Sequence, residues 1–277
     1  MAFHAVKPRR PYPGTRAVRR AVGLLKAFGP GRPQLRLAEL SRAARLNKTT
    51  AYRLLSALES EGLVERSGKG EAYRLGAQLL RLGREVGGTA ELRQASRAEL
   101  RRLAEEAGET ATLEVLVGRE VLILEEVSGR HVVGSTPFVG SRWPAHATST
   151  GKALLAYLPA PELQAILAPP LPALTPRTLT RPAAVRRELE RIRRRGYATS
   201  VGELEEGFVA VGAAVRSGEG EVVAAVSAGG PRSRLTASKI AELGLSVPAT
   251  AARISALLGH APDDAVGRRG ARRRGPR

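Results

Sequence analysis

The amino-acid sequence predicts an α+β chain. An N-terminal winged helix-turn-helix covers residues 15–76, and helices flank a meandering antiparallel sheet of GAF/PAS type over residues 94–260. Three observations predict it. From Leu37 to Leu75, two short runs at helical spacing lead into two strand-like runs around a glycine-rich turn. From Thr110 to Gly230, glycine turns separate β-rich runs such as TATLEVLVG, EVLILEEV and GFVAVGAAVR, with helical patterns between them. The charge is also divided: residues 1–75 hold 16 Lys/Arg against 5 Asp/Glu, whereas residues 76–261 hold 23 against 19.

Taken in order, residues 1–14 read as a disordered basic arm. Val18, Ala21, Val22, Leu25 and Phe28 form an apolar stripe on a helix over 15–28, which GPGRP breaks. Leu37, Leu40 and Ala44 mark the next helix. Asn47 then caps a helix whose Ala51, Leu54, Leu55 and Leu58 recur at i, i+3, i+4 and i+7. Its opposite face carries Thr49, Arg53, Ser56 and Ser60. Gly62 stops it, and strand-like runs at 63–66 and 72–75 flank SGKGE. Residues 77–93 read as a linker helix, and a further helix runs to Ala107 with Leu92, Leu100, Leu103 and Ala104 inward. Strands follow at 110–118 and 120–127, a weaker one at 131–138, and a long loop at 139–151 holding the only Trp. Helices are expected at 152–157, within PAPELQAILA, and at 182–196 with Val185, Leu189 and Ile192 inward. YATSV, residues 207–216 and residues 221–230 are strands. LTASKIAEL and VPATAARISALLG close the domain as two helices, and 261–277 is a disordered basic tail.

The basic first quarter is the footprint of a polyanion-binding domain. Its second short helix is suited to the major groove, with N-terminal residues at the base edges. Lys48, Thr49, Thr50, Tyr52, Arg53 and Ser56 are the candidate DNA-contacting residues, and Lys69 at the hairpin tip is a phosphate contact. The competing reading is a helical hairpin with a solvated polar face. The chain has no Cys, so disulfides and thiolate metal sites are excluded. No apolar run approaches membrane-spanning length, and the N-terminus lacks a signal-peptide pattern, so a cytoplasmic protein is expected.

Four segments resemble the IclR family of transcriptional regulators: AVGLLKAF, LNKTTAYRLLSALESEGLVER…YRLG, HATSTGKALLA, and RRRGYATSVGELEEGFVAVGAAVR followed by AAVSAGGP. The resemblance spans residues 15–260. It implies a C-terminal effector-binding domain, binding to pseudo-palindromic double-stranded DNA as a dimer or tetramer, and control by a small carboxylic acid. By position, the backbone amides of Ser149 and Thr150 resemble the family's carboxylate-binding amides. Ser200, Ala210, Ser227 and Gly229 align with other pocket-lining positions, and Val132, Ser135, Trp143 and Phe208 with the apolar wall. Ser200, Ala210 and Gly229 stand where Asp, Cys and Ser occur in some members. Those losses of polarity point to an acid larger than a two- or three-carbon keto acid, aromatic acids included. The alternative is a pocket closed by Phe208 and Trp143.

Other chemistry is weaker. Ser149-x-x-Lys152 matches a hydrolase nucleophile motif but lacks its partner segments. Gly151-Lys152 lacks the upstream glycine of a phosphate-binding loop, and Ala153 replaces its Ser/Thr. His146 reads as a structural residue holding its loop, and Glu203, Glu205 and Glu206 as a solvated turn. No catalytic residue, metal ligand or cofactor is expected. A constitutive DNA-binding protein whose C-terminal domain only oligomerises is the alternative function, ahead of a Ser-dependent hydrolase.

Overall fold

The structure is a computed structural model. It describes residues 15–29, 32–67, 72–84, 89–130 and 139–261. The expected arm at 1–14, Lys69, the strand at 131–138 with Val132 and Ser135, and residues 262–277 of the tail lie outside them. The described residues divide into two compact units, one up to Ala90 and one from Glu91.

In the first unit, α1 (Arg16–Leu25), α2 (Leu37–Ala43) and α3 (Lys48–Ser60) stand beside a small antiparallel sheet. Its strands β1 (Leu35–Arg36), β2 (Val64–Ser67) and β3 (Ala72–Leu75) run in the order β1-β3-β2. The core is Leu24, Leu35, Leu40, Ala51, Leu55, Leu58, Val64 and Tyr73. The expected stripe on α1 is only partly inward: Leu24 is fully buried, while Val18 and Val22 face solvent at 64% and 41% exposure. The core is met by Ala21, Leu24, Leu25 and Phe28, a stripe rotated from the expected one. The linker region holds a short helix, α4 (Gln78–Arg84).

The boundary falls within α5 (Thr89–Ala107), and the second unit begins two residues into it. Its sheet has six antiparallel strands in the order β6-β5-β4-β9-β8-β7. These are β4 (Thr110–Val117), β5 (Glu120–Val127), β6 (Arg142–Pro144), β7 (Ala198–Val201), β8 (Phe208–Arg216) and β9 (Val222–Pro231). Side chains alternate across a strand. Ala111, Leu113 and Val115, Val209, Val211 and Ala213, and Val226 and Ala228 therefore enter one core. Leu100 and Leu103 of α5 and Leu243, Val247 and Ile254 of α9 (Ala237–Leu257) complete that core. The other face packs against α6 (Ser149–Leu155), α7 (Ala160–Ile166) and α8 (Pro182–Arg195), where Val185, Leu189 and Ile192 are buried as expected.

Two expectations fail here. The long loop at 139–151 contains β6 and a turn of 3₁₀ helix over Ala145–Ala147, and α6 begins at Ser149 rather than Lys152. Thr148, whose hydroxyl accepts the Gly151 amide at 3.0 Å, sets that earlier start. The two closing helices are one, continuous through Pro248. An interior proline costs ~3 kcal/mol or more. Burial of Leu243, Val247, Thr250, Ala251 and Ile254 on one face offsets it.

Candidate DNA face and effector cavity

The turn between α2 and α3 is built from backbone. The Leu46 amide donates to Ser41 O (2.8 Å) and the Arg45 amide to Arg42 O (3.1 Å), the paired bonds that close a helix end. Arg45 takes the left-handed conformation there, φ 54°, a position that usually favours glycine. Asn47 Oδ1 then accepts the Thr50 amide at 2.8 Å and starts α3. With Ala51, Leu55 and Leu58 buried, Lys48, Thr49, Tyr52 and Arg53 are exposed on the outer face, and Thr50 and Ser56 are half-buried beside them. Arg45, exposed just before α3, adds a charge that the sequence reading did not single out. Arg66 of β2 lies 5.9 Å from the Tyr52 ring centroid and 5.5 Å from that of Tyr73, and its Nε is 3.2 Å from Glu59. Tyr52 therefore also ties the hairpin to α3, while Tyr73 belongs to the core.

In the second unit, a cavity of about 410 Å³ lies between the sheet and the start of α6. Register explains its floor. Ser200 pairs with Ala210, Ala210 with Gly229, and Gly229 with Thr110, forming one row of neighbours across four strands. The next row is Gly212, Ser227 and Thr112. Ser149 and Thr150 stand at the α6 side, with Phe208 and Trp143 in the wall. Eight of the ten residues assigned to this pocket from sequence thus line one space, and the other two lie outside the described residues. Phe208 and Trp143 do not fill it.

Helix geometry leaves the first amides of α6 without intrahelical partners. Thr148 takes that of Gly151, so the Ser149 and Thr150 amides remain for another acceptor. The Ser200 hydroxyl donates to Ala147 O at 2.9 Å and holds the 3₁₀ turn, which leaves only its oxygen for a ligand.

The sequence reading missed Glu114. It lines the cavity and is buried. Its carboxyl accepts from Thr150 Oγ1 at 2.6 Å and from Thr112 Oγ1 at 2.8 Å, and Thr112 Oγ1 is in turn 2.8 Å from Ser227 Oγ. A bulge in β5 lies opposite it: Leu113 pairs with Glu125 but Glu114 with Ile123. Burial pushes its carboxyl above the usual range, against the two threonine hydroxyls. A carboxyl raised in the native state makes stability fall as pH rises above its unfolded value of about 4.3. Glu114→Gln is therefore expected to flatten the fall of stability that sets in as pH rises above about 4.3, measured by urea unfolding across the pH range.

Glu203 is not on a solvated turn. Lys152, 1% exposed, places Nζ 2.5 Å from Glu203 Oε1. That pairing occupies the lysine of Ser149-x-x-Lys152. Glu205 and Glu206 are exposed at the cavity rim. His146 is buried with Nε2 3.0 Å from Pro172 O, and burial lowers its pKa, so it holds its loop. Among the described residues no cluster of His, Asp or Glu could hold a metal, and no helix is long and apolar enough to cross a membrane.

A winged helix with a basic outer face, and a separate unit enclosing a ligand-sized cavity, define a DNA-binding transcriptional regulator. Residues 17–68 match the IclR helix-turn-helix domain, and residues 85–256 match the bacterial transcriptional regulator IclR C-terminal domain. The regulator XynR of Escherichia coli is 31% identical over 249 residues, covering 90% of this chain and 99% of that one. The crystal structure of an IclR homolog from Microbacterium hydrocarbonoxydans, complexed with 4-hydroxybenzoate, is 31% identical with a TM-score of 0.77. It covers 87% of this chain and 98% of the other. The Thermotoga maritima IclR structure is 29% identical with a TM-score of 0.71, covering 89% and 100%. The chain belongs to the IclR family of bacterial transcriptional regulators. Its relatives are regulators rather than enzymes.

Proposed function

We propose that two or more copies of this chain bind a pseudo-palindromic operator through the outer face of α3, and that an organic acid with an apolar body changes that binding from the cavity beside α6. The observation that carries the reading is the cavity itself. Its volume is in the range of small-molecule sites, with Ser149 and Thr150 on one side and Trp143, Phe208 and Ala210 on another. Free amides at a helix start favour a carboxylate. The 4-hydroxybenzoate bound by a relative is an acid of the class that fits this wall. Exposed Val18 and Val22 on α1, Leu75 at the end of β3 and Leu82 on α4 support self-association, because apolar side chains at such exposure gain from a partner surface.

The test is operator binding titrated with and without aromatic and short keto acids. Aromatic acids should bind in the micromolar range and change operator affinity. Enlarging Ala210 to Leu fills the floor of the cavity and should abolish that binding, read by calorimetry. Tight binding of pyruvate or glyoxylate with none of an aromatic acid would overturn the assignment.

Arg53→Ala tests the DNA face. If Arg53 reads a base, specific binding should weaken by about 1–3 kcal/mol. If it holds a phosphate, affinity should fall evenly across sequences and the salt slope should drop by about one. Unchanged operator affinity would show that another face reads the DNA.

A further inference from the structure

The cavity presents a chemical problem for an acid effector. Glu114, Glu205 and Glu206 line it, and no Lys, Arg or His does so among the described residues. A ligand there meets fixed carboxyls as well as free amides, and Glu114 is the one among them that is buried.

A carboxyl offers about four lone-pair sites. Thr150 takes one site on Oε2 and Thr112 one on Oε1, and Ser227 extends the chain through Thr112. Each oxygen thus keeps capacity on a group that lines the cavity and that burial withholds from water. Both oxygens already have one partner, so a ligand donor adds a further bond at a lone pair that faces the cavity.

The identity of that group follows from elimination. An ammonium suits only the ionised carboxylate, the form that burial opposes. A second carboxylate suits only the protonated form and meets Glu205 and Glu206 as well. A hydroxyl can donate to the carboxylate, as the Thr112 and Thr150 hydroxyls do, or accept from the acid, so it fits either form. Lys152, the nearest cation along α6, is held by Glu203, and Glu125 across β5 is engaged by Arg93 at 2.9 Å. Neither supplies a competing charge for Glu114.

We propose that Glu114 is a specificity-determining residue of the effector cavity and that it receives a hydroxyl group carried by the acid in addition to its carboxylate. This rests on the reading of the cavity as the acid-binding site.

The experiment is calorimetry of the full chain with benzoate, its three hydroxy isomers, the matching fluorobenzoates and terephthalate. One hydroxy isomer should bind at least ~10-fold more tightly than benzoate and than the fluorobenzoate of the same position, since a site built for a hydroxyl rejects the analogue lacking it. Terephthalate should bind more weakly than benzoate. Glu114→Leu should bring the hydroxybenzoate and benzoate affinities within about twofold of each other. Glu114→Gln, which both donates and accepts, should keep the preference. A second readout does not depend on the Leu variant folding: a carboxyl infrared band absent from Glu114→Gln should shift when the hydroxy acid is added and stay when the fluoro acid is added. Equal affinity of wild type for all monoacids, a preference that survives Glu114→Leu, or an unmoved band would overturn the proposal. If no aromatic acid binds wild type at all, the cavity reading fails with it. That outcome differs from binding without selectivity, which removes Glu114's role alone.

Discussion

Lys152→Met is expected to cost about 3–5 kcal/mol of stability, because removing one member of a buried pair strands the other. Lys152 is almost fully buried, and its ammonium is 2.5 Å from Glu203 Oε1. Burial lowers the Lys152 pKa and raises that of Glu203, while their mutual attraction opposes both shifts. Glu203 Oε2 has no hydrogen-bond partner of good geometry, and Lys152 is the largest influence that favours the charged carboxyl, ahead of the Val201 backbone. Without Lys152, Glu203 is stabilised by taking up a proton in the native state. Its native pKa then rises further above the unfolded value, and the variant's stability falls as pH rises through that window. The loss should therefore be larger at pH 8 than at pH 5. The double change Lys152→Met with Glu203→Gln should recover most of it, since a neutral group replaces the stranded charge. Urea unfolding at both pH values checks this. A loss below about 1 kcal/mol at pH 8 would show that the pair is not a stabilising contact. The backbone of the same loop is held separately: Thr175 Oγ1 donates to Gly202 O at 2.6 Å, and Thr178 Oγ1 to Glu203 O at 2.7 Å. The variant should therefore lose stability without releasing the cavity rim.

What the sequence made legible, and what it hid, divides by the range of the signal. The outward face of α3 follows from one helix and its 3.6-residue period, so Ala51, Leu55 and Leu58 inward place Arg53 and Tyr52 outward without tertiary information. The pocket residues of β8 and β9 came from resemblance rather than from pattern. Their rows across the sheet depend on strand order, which places β4 beside β9 and is not written in any one segment. Glu114 was invisible for that reason. In the sequence it is the one charged residue of its strand, two positions from Thr112, and only the pairing with β9 and the packing of α6 bring Ser227 and Thr150 around the two of them. Val18 and Val22 misled because periodicity identifies an apolar stripe but not which edge of it meets the core. Pro248 misled because a local breaker was outweighed by burial along a 21-residue helix.

Gly151→Ala should have the second large effect, and it separates packing from chemistry at the cavity. In isolation the change favours the helix by about 1 kcal/mol. In this fold a Cβ at 151 would lie 2.2 Å from Ala145 O and 2.4 Å from Ala145 Cα, backbone atoms that no rotamer change can move aside. Overpacking of this kind costs about 1–3 kcal/mol and occasionally more; set against the helix gain, a net loss of up to about 2 kcal/mol is expected. The relief available is a shift of the α6 start away from the 3₁₀ turn. That start is fixed from the other side as well, where Gly212 of β8 packs so closely that a Cβ there would meet Thr150 N at 2.9 Å. Any shift therefore moves the Ser149 and Thr150 amides and the 2.6 Å bond from Thr150 to Glu114 together. Acid binding should fall at least ~10-fold, since a displacement of about 1 Å is enough to lose oriented contacts. The α3 face belongs to the other compact unit, so operator affinity without acid should stay within about twofold of wild type, a change under about 0.5 kcal/mol. Calorimetry with the best-bound hydroxybenzoate and operator titration on the same preparation measure both. If acid affinity is unchanged while stability drops, the amides of α6 do not hold the carboxylate, and the acid is bound by the sheet side of the cavity alone.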